Sequence, residues 1–383
     1  MKSRIVPLIK KHERLRSEGV NLVASENMLS PKVREALASD LAGRYHSAWY
    51  GGSRAARDIV EATEELACKL FRARHALVAP ISGNLCDLAV LFAFTAYGEK
   101  VAMLPFSAGG YPLGLEKFHR RRVSLPVDER GFNVDGPSAL EALARERPEL
   151  TILGSSFILF PQPVTEIATA VKAARPPGFC VYDGSHVLGL IACGQFQDPL
   201  REGAEVLFGS THKSFFGPQG GILLTNSAEH AARLRKYLEI DFETGIGLVD
   251  NPHMNRIAAL GIAMEEMLAN RGYGRRVIEN AIFFGRALDK LGVPIRFREH
   301  KYTRSHQLLL DLDSVRAEKL CRDLEAVSIF IDVGGRLGLA EATHRGMRRA
   351  ELREIAEVIA EVYHGGPRPV LKKRIRDLVE SGS

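Results

Sequence analysis

Short apolar runs that end in polar residues, separated by spans with helical spacing, constrain this chain more than any other feature. Residues 100–104, 151–153, 180–183, 206–209 and 221–225 read as strands. Strands alternating with helices imply parallel βαβ units with right-handed crossovers. The expected fold class is therefore α/β with a mostly parallel central sheet. A chain of 383 residues, 45% of them hydrophobic, can bury the core that such a sheet needs.

Several helices can be placed around these strands. Residues 6–18 are amphipathic, residues 31–41 follow Ser30 as a candidate cap, and residues 58–71 repeat apolar positions at intervals of three and four. A strand at 75–80, a turn at Ser82, Gly83 and Asn84, and an apolar helix at 85–97 come next. This order puts the turn at a helix N-terminus, where free N–H groups and the macrodipole favour a phosphate. Those three residues are a candidate cradle, although the same tripeptide also fits an ordinary loop. After a long helix at 254–270 the pattern changes to a helix at 275–291, a strand at 305–312 and a helix at 350–362. The expected division is an N-terminal helical arm (1–20), a large domain (21–255), and a linking helix with a small C-terminal α+β domain (256–383).

Lys213 stands in GSTHKSFFGPQGG, residues 209–221, just beyond one expected strand. A lysine forms a Schiff base with an aldehyde when it can reach the carbonyl as the neutral amine. His212 adjoins it, and Ser210 offers a hydroxyl for a phosphate. Asp183 ends another strand and is followed by Ser185 and His186. An aspartate so placed can keep the ring nitrogen of pyridoxal phosphate (PLP) protonated, which makes that ring an electron sink. Taken singly, Lys213 also fits a solvated surface lysine and Asp183 a turn cap. As a pair at the carboxyl edge of one sheet, they fit an open α/β crevice.

Other function classes find less support. The net charge of +6 comes from 52 basic and 46 acidic residues that are interspersed. The basic runs at 120–122, 345–349 and 372–376 are short and lack interleaved aromatics, so they read as solvated faces and no nucleic-acid partner is expected. Five cysteines without a CxxC pair indicate neither a disulfide framework nor a metal site, and a cytoplasmic setting is expected. The first residues alternate charged and apolar positions, unlike a signal peptide, and no run approaches the ~20 apolar residues of a membrane span.

Motifs along the chain resemble the serine hydroxymethyltransferase family, PLP enzymes of the aspartate aminotransferase fold type (fold type I). NLVASEN at 21–27, WYGG at 49–52, SGN at 82–84, DGSHVLGLIACGQFQDPL at 183–200, THKSFFGPQGG at 211–221 and GGRLG at 334–338 stand in the family's order. The resemblance implies that Ser82, Gly83, Asn84, Asp183, Ser185, His186, Ser210, His212 and Lys213 bind PLP. It implies catalytic roles for Lys213, Asp183, His186 and Tyr45, and places Ser25, Tyr50 and Arg336 near an amino acid substrate. Arg336 offers a carboxylate the planar fork that lysine lacks, though by itself it also fits a surface ion pair. A homodimer with shared active sites is likewise implied.

Departures from the family bear on the reaction. Two residues past the tyrosine matching Tyr45, the family has an acid/base glutamate that touches the folate; here that position is Ser47, with His46 as a replacement candidate. The family's ring-stacking histidine falls near Ala108, leaving Tyr111 or Phe106 as substitutes, and Asp250 with Asn251 stands where the family has a Gly-Gly pair. Gln219 replaces an arginine. The expected function is PLP-dependent aldol or retro-aldol chemistry at the Cα–Cβ bond of a small amino acid, without tetrahydrofolate. Folate-dependent hydroxymethyl transfer, transamination on the same scaffold, and a non-catalytic PLP-binding or regulatory protein are the alternatives.

Overall fold

The computed structural model describes residues 3–128, 132–240 and 243–381. Strand β1 (Val20–Asn21) lies outside the central sheet. That sheet contains β2 (His75–Leu77), β3 (Lys100–Met103), β4 (Arg121–Ser124), β5 (Leu150–Leu153), β6 (Phe179–Asp183), β7 (Val206–Ser210) and β8 (Gly221–Thr225), in the order β2-β8-β7-β6-β5-β3-β4. All pairings from β7 to β4 are parallel. The α/β class with a mostly parallel sheet is thus what the chain forms.

One strand departs from the parallel expectation. β8 runs antiparallel to both β7 and β2. The loop from 211 to 220 contains no helix, and a connection that short returns the chain antiparallel rather than carrying it back for a parallel crossover.

A second difference concerns the basic run at 120–122, which is not simply a solvated face. Arg121 and Arg122 belong to edge strand β4, and Arg120 donates from Nη2 to Thr95 O at 2.7 Å and from Nε to Thr95 Oγ1 at 3.0 Å. An edge strand pairs on one side only, so charged residues suit it.

Strands β5, β6 and β7 are almost wholly buried. Leu150, Ile152, Val181, Val206 and Phe208 pack with Val90, Leu91 and Phe94 of helix Gly83–Phe94 and with Leu234 and Leu238 of helix Ala228–Leu238. Burial on both faces explains why these strands read as continuous apolar runs rather than alternating ones. Ser30 caps helix Pro31–Leu37 by accepting from Val33 N–H, and Ser82 caps Gly83–Phe94 by accepting from Leu85 N–H at 3.1 Å. Gly83 and Asn84 are therefore the first turn of the helix, which begins two residues earlier than expected.

Two compact units emerge, 29–274 and a second composed of 1–28 with 275–383. The second holds β1, β9 (Gln307–Leu309), β10 (Ile329–Phe330) and β11 (Arg336–Gly338). This corrects the expected boundaries at 20 and 255. The N-terminal segment is no separate arm, because β1 pairs in parallel with β10 and Val20 and Leu22 share a core with Phe284, Leu308, Ile329 and Leu337. Helix Met254–Ala269 packs on Arg54–Phe71 and Pro31–Leu37, so it belongs to the larger unit.

Candidate active site

Parallel pairing of β6 with β7 brings two chemically loaded strand ends together, since Asp183 stands opposite Phe208 in the ladder. Beyond Asp183 the chain turns sharply: Ser185 N–H donates to Asp183 Oδ1 at 2.9 Å, and Ser210 N–H donates to Ser185 Oγ at 3.0 Å. Helix Gly83–Phe94 then presents its N-terminus to the same place. A Cβ on Gly83 would overlap Ser210 Oγ and lie 3.2 Å from both Ser185 Oγ and Ser210 N. Glycine is required there by close approach. Two hydroxyls and a helix N-terminus thus form one small polar concavity, the donor set a phosphate takes.

The loop leaving β7 carries His212 and Lys213. It is held by Thr211 N–H donating to Gly220 O at 3.1 Å and Thr211 Oγ1 donating to Pro218 O at 2.6 Å. Gly221 N–H, donating to Pro80 O at 2.9 Å, ties the loop's end to the segment that leads into the cradle. Burial and the neighbouring charge of Lys213 push His212 down to about 4, so its imidazole is neutral near pH 7. Its Nδ1 is buried without a hydrogen-bond partner. A ligand oxygen or hydroxyl is what that atom lacks. His186 and Asp183 are both buried at the same strand end.

Asn84 accepts a hydrogen bond from Tyr111 Oη at 3.2 Å. Burial, together with Asp87 and Asp183, pushes the Tyr111 phenol up to about 12. Of the two stacking substitutes, Tyr111 is therefore at this site, whereas Phe106 is 70% exposed.

The sequence reading missed two groups. Asp87 is buried one turn into the helix, where the charges of Asp183 and Lys213 both reach it. Arg256 is buried, has no carboxylate partner among the described residues, and donates from Nη2 to Val78 O, in the segment leading to the cradle. A lone acid in an apolar helix directly after a capping serine was the signal for the first; the second had none.

Tyr45, His46 and Tyr50 lie on another segment of the larger unit. Tyr45 stacks on Tyr50 with ring centroids 4.6 Å apart, and both rings are exposed. Burial holds the His46 imidazole below the usual range, and its buried Nδ1 has no hydrogen-bond partner among the described residues. Tyr45, Ile81, Asp250, Asn251 and His253 line a cavity of about 430 Å³. Asp250 and Gln219 are exposed.

Ser25 and Arg336 belong to the other unit. There Gly338 N–H donates to Leu22 O at 2.8 Å, which lays the 22–25 segment along β11. Arg336 is 8% exposed, and its Nε donates to Asp332 Oδ2 at 2.8 Å. It is a buried arginine, not a surface ion pair.

A lysine beyond one strand, a carboxylate at the end of its neighbour and a phosphate cradle between them, on this strand order, define a PLP-dependent enzyme of the fold type I class. The residues present fit that cofactor on two counts, the Gly83 concavity and the unpartnered Nδ1 of His212. The chain belongs to the serine hydroxymethyltransferase family, which it matches over residues 1–359. A serine hydroxymethyltransferase of Methanothermobacter marburgensis is 38% identical, covering 95% of this chain and 90% of the relative. One from Methanocaldococcus jannaschii is also 38% identical, covering 92% and 87%. Among solved structures, the L-threonine transaldolase from Pseudomonas fluorescens in its internal aldimine state superposes with a TM-score of 0.89 at 26% identity, covering 98% of this chain and 90% of that one.

Proposed function

We propose that this PLP-dependent enzyme makes or breaks the Cα–Cβ bond of a small β-hydroxy amino acid by aldol or retro-aldol chemistry, without tetrahydrofolate. One observation carries the reading: between Asp40 and Asp58 the chain has no carboxylate, although the family's folate-touching glutamate belongs in that stretch. Likeness to an L-threonine transaldolase supports the same direction.

Bound at the cradle, PLP supplies an aldehyde for attachment and an electron-withdrawing ring that stabilises negative charge at Cα. Ser82, Gly83, Asn84, Ser185 and Ser210 hold its phosphate, and His212 donates or accepts at Nδ1. Lys213 provides the attaching amine. Asp183, hydrogen-bonded by Ser185, holds the ring proton, while Tyr111 takes the place of the family's stacking histidine. Arg336 binds the substrate carboxylate, and Ser25 and Tyr50 serve the amino acid substrate as the resemblance implies. His46, neutral near pH 7, is the group that takes the β-hydroxyl proton.

A second copy of the chain completes the site in this reading. Tyr45 and Ile81 are 50% and 42% exposed although both line the same cavity, as expected of surfaces that a partner subunit covers. Five free cysteines fit a reducing cytoplasm. Among the described residues, no helix is long and apolar enough to cross a membrane and no metal-binding cluster is present.

The test is to mix PLP-loaded protein with L-threonine, L-phenylserine and L-serine, with and without tetrahydrofolate, and to follow aldehyde and glycine. Release of aldehyde without folate is the expected result. Serine cleavage that requires folate would return the chain to hydroxymethyl transfer, and a requirement for a 2-oxo acid would make it an aminotransferase.

A further inference from the structure

Helix Gly83–Phe94 carries a single charged residue, Asp87, and buries it to 3% exposure. Asp87 stands four residues after Gly83, on the same helix face, so it points to the side on which the cradle opens. There the charge of Asp183, itself 6% exposed, reaches it. The two acids are not equivalent. Asp183 receives the N–H of Ser185, whereas no hydrogen bond or ion pair to Asp87 exists among the described residues. Two buried carboxylates side by side repel, and the one without a donor takes the proton.

We propose that Asp87 is a carboxylic acid at neutral pH and forms with Asp183 a one-proton dyad that sets the charge felt by the bound PLP ring. This rests on the reading that Asp183 faces that ring. Burial and Asp183 both push the Asp87 carboxyl well above the usual carboxylate range, and Lys213 acts in the opposite direction. Other titratable groups within reach include Tyr111 and Cys86, both held neutral by burial and by these same acids, with Arg256 acting on Cys86, and Tyr182, held neutral by burial, Glu202 and Asp183. The dyad would leave one net negative charge at neutral pH for the ring to feel. A second appears only when Asp87 loses its proton at higher pH, and it then binds the protonated ring more strongly.

The experiment compares PLP uptake by wild type, Asp87→Asn and Asp183→Asn, read by visible absorbance from about pH 6 to about pH 10. Asparagine has the shape and charge of a neutral acid, so D87N is expected to bind PLP within about threefold of wild type at pH 7, whereas D183N weakens it by about tenfold or more. Wild type should also show an absorbance transition on the alkaline side that D87N lacks. Loss of PLP binding in D87N as large as in D183N, or persistence of that transition, overturns the dyad. Should D87N fail to fold, infrared spectra of wild type labelled in its aspartates decide: a carboxylic-acid C=O stretch present at pH 7 and lost on raising the pH supports the proposal, and its absence overturns it. These readings concern the cofactor alone, so failure of turnover on every amino acid would sink the aldol reading and leave the dyad standing.

Discussion

Gly83 and Ser210 approach so closely that any side chain at the first would displace the hydroxyl of the second, although one opens a helix and the other ends β7. The concavity between them exists only because position 83 has no Cβ. Gly83→Ala is therefore expected to weaken PLP binding by about tenfold or more, roughly 1.4 kcal/mol. Alanine favours a helix, so the melting temperature of the cofactor-free protein should hold. Titration of the apo-protein with PLP, beside a melting curve, checks both.

Much of this site was legible because each part ends an apolar run. Asp183 and Lys213 follow strands β6 and β7, and Ser82 precedes an apolar helix, so local pattern alone set them at element ends. Asp87 left only a faint mark, since a helix with apolar residues on every side reads as core and its lone acid after a capping serine has no periodic partner. The antiparallel turn of β8 was hidden because a strand's direction leaves no mark in its own residues. β4 was hidden by its arginines, which an edge strand tolerates. The pairing of β1 with β10 joins residues 20 and 329, a separation no local pattern reports.

In the proposed reading the cofactor attaches to Lys213. Lys213→Ala should still fold and take up PLP, but borohydride should no longer fix the cofactor to the chain. Turnover should fall by at least about 100-fold, the lower end of what a positioned reacting group supplies. Mass spectrometry after reduction distinguishes attachment at 213 from attachment elsewhere.

His212 and His344 are both half-buried, and that burial, with the charge of Lys213 on His212, holds each down to about 4 from the ordinary 6.5. Between those values the unfolded chain binds protons that the folded chain refuses. Their contribution to stability is therefore complete above pH 6.5 and is lost as pH falls towards 4, by about 1–3 kcal/mol for each histidine. Urea midpoints of the cofactor-free protein should decline over that window. His344→Gln, outside the proposed site, should flatten the decline by about half.

Arg256 donates to Val78 O, while its Nε and Nη1 lack partners among the described residues, and burial lowers its guanidinium to about 10. Removing it leaves a void and an unsatisfied carbonyl beneath the segment that enters the cradle. Arg256→Ala is expected to cost about 2–4 kcal/mol of stability. Arg256→Met fills the space and discards a buried charge, so it should cost less than half as much. Denaturant unfolding of both variants orders them.

Asp332 fixes Arg336 through Nε at 2.8 Å and also receives the arginine's backbone N–H at 3.1 Å. Such a two-point anchor orients the guanidinium plane, and orientation is what recognition of a carboxylate requires. If Arg336 binds the substrate carboxylate, Arg336→Lys keeps the charge but loses the fork, and KM should rise by about 100-fold with a smaller change in kcat. Asp332→Asn keeps the shape and weakens the anchor, so KM should rise by about tenfold at nearly constant kcat. Both variants should bind PLP as wild type does, because neither residue belongs to the cradle. A fall in kcat with KM unchanged would show instead that Arg336 acts on the reacting atoms, and the substrate carboxylate would then need another partner.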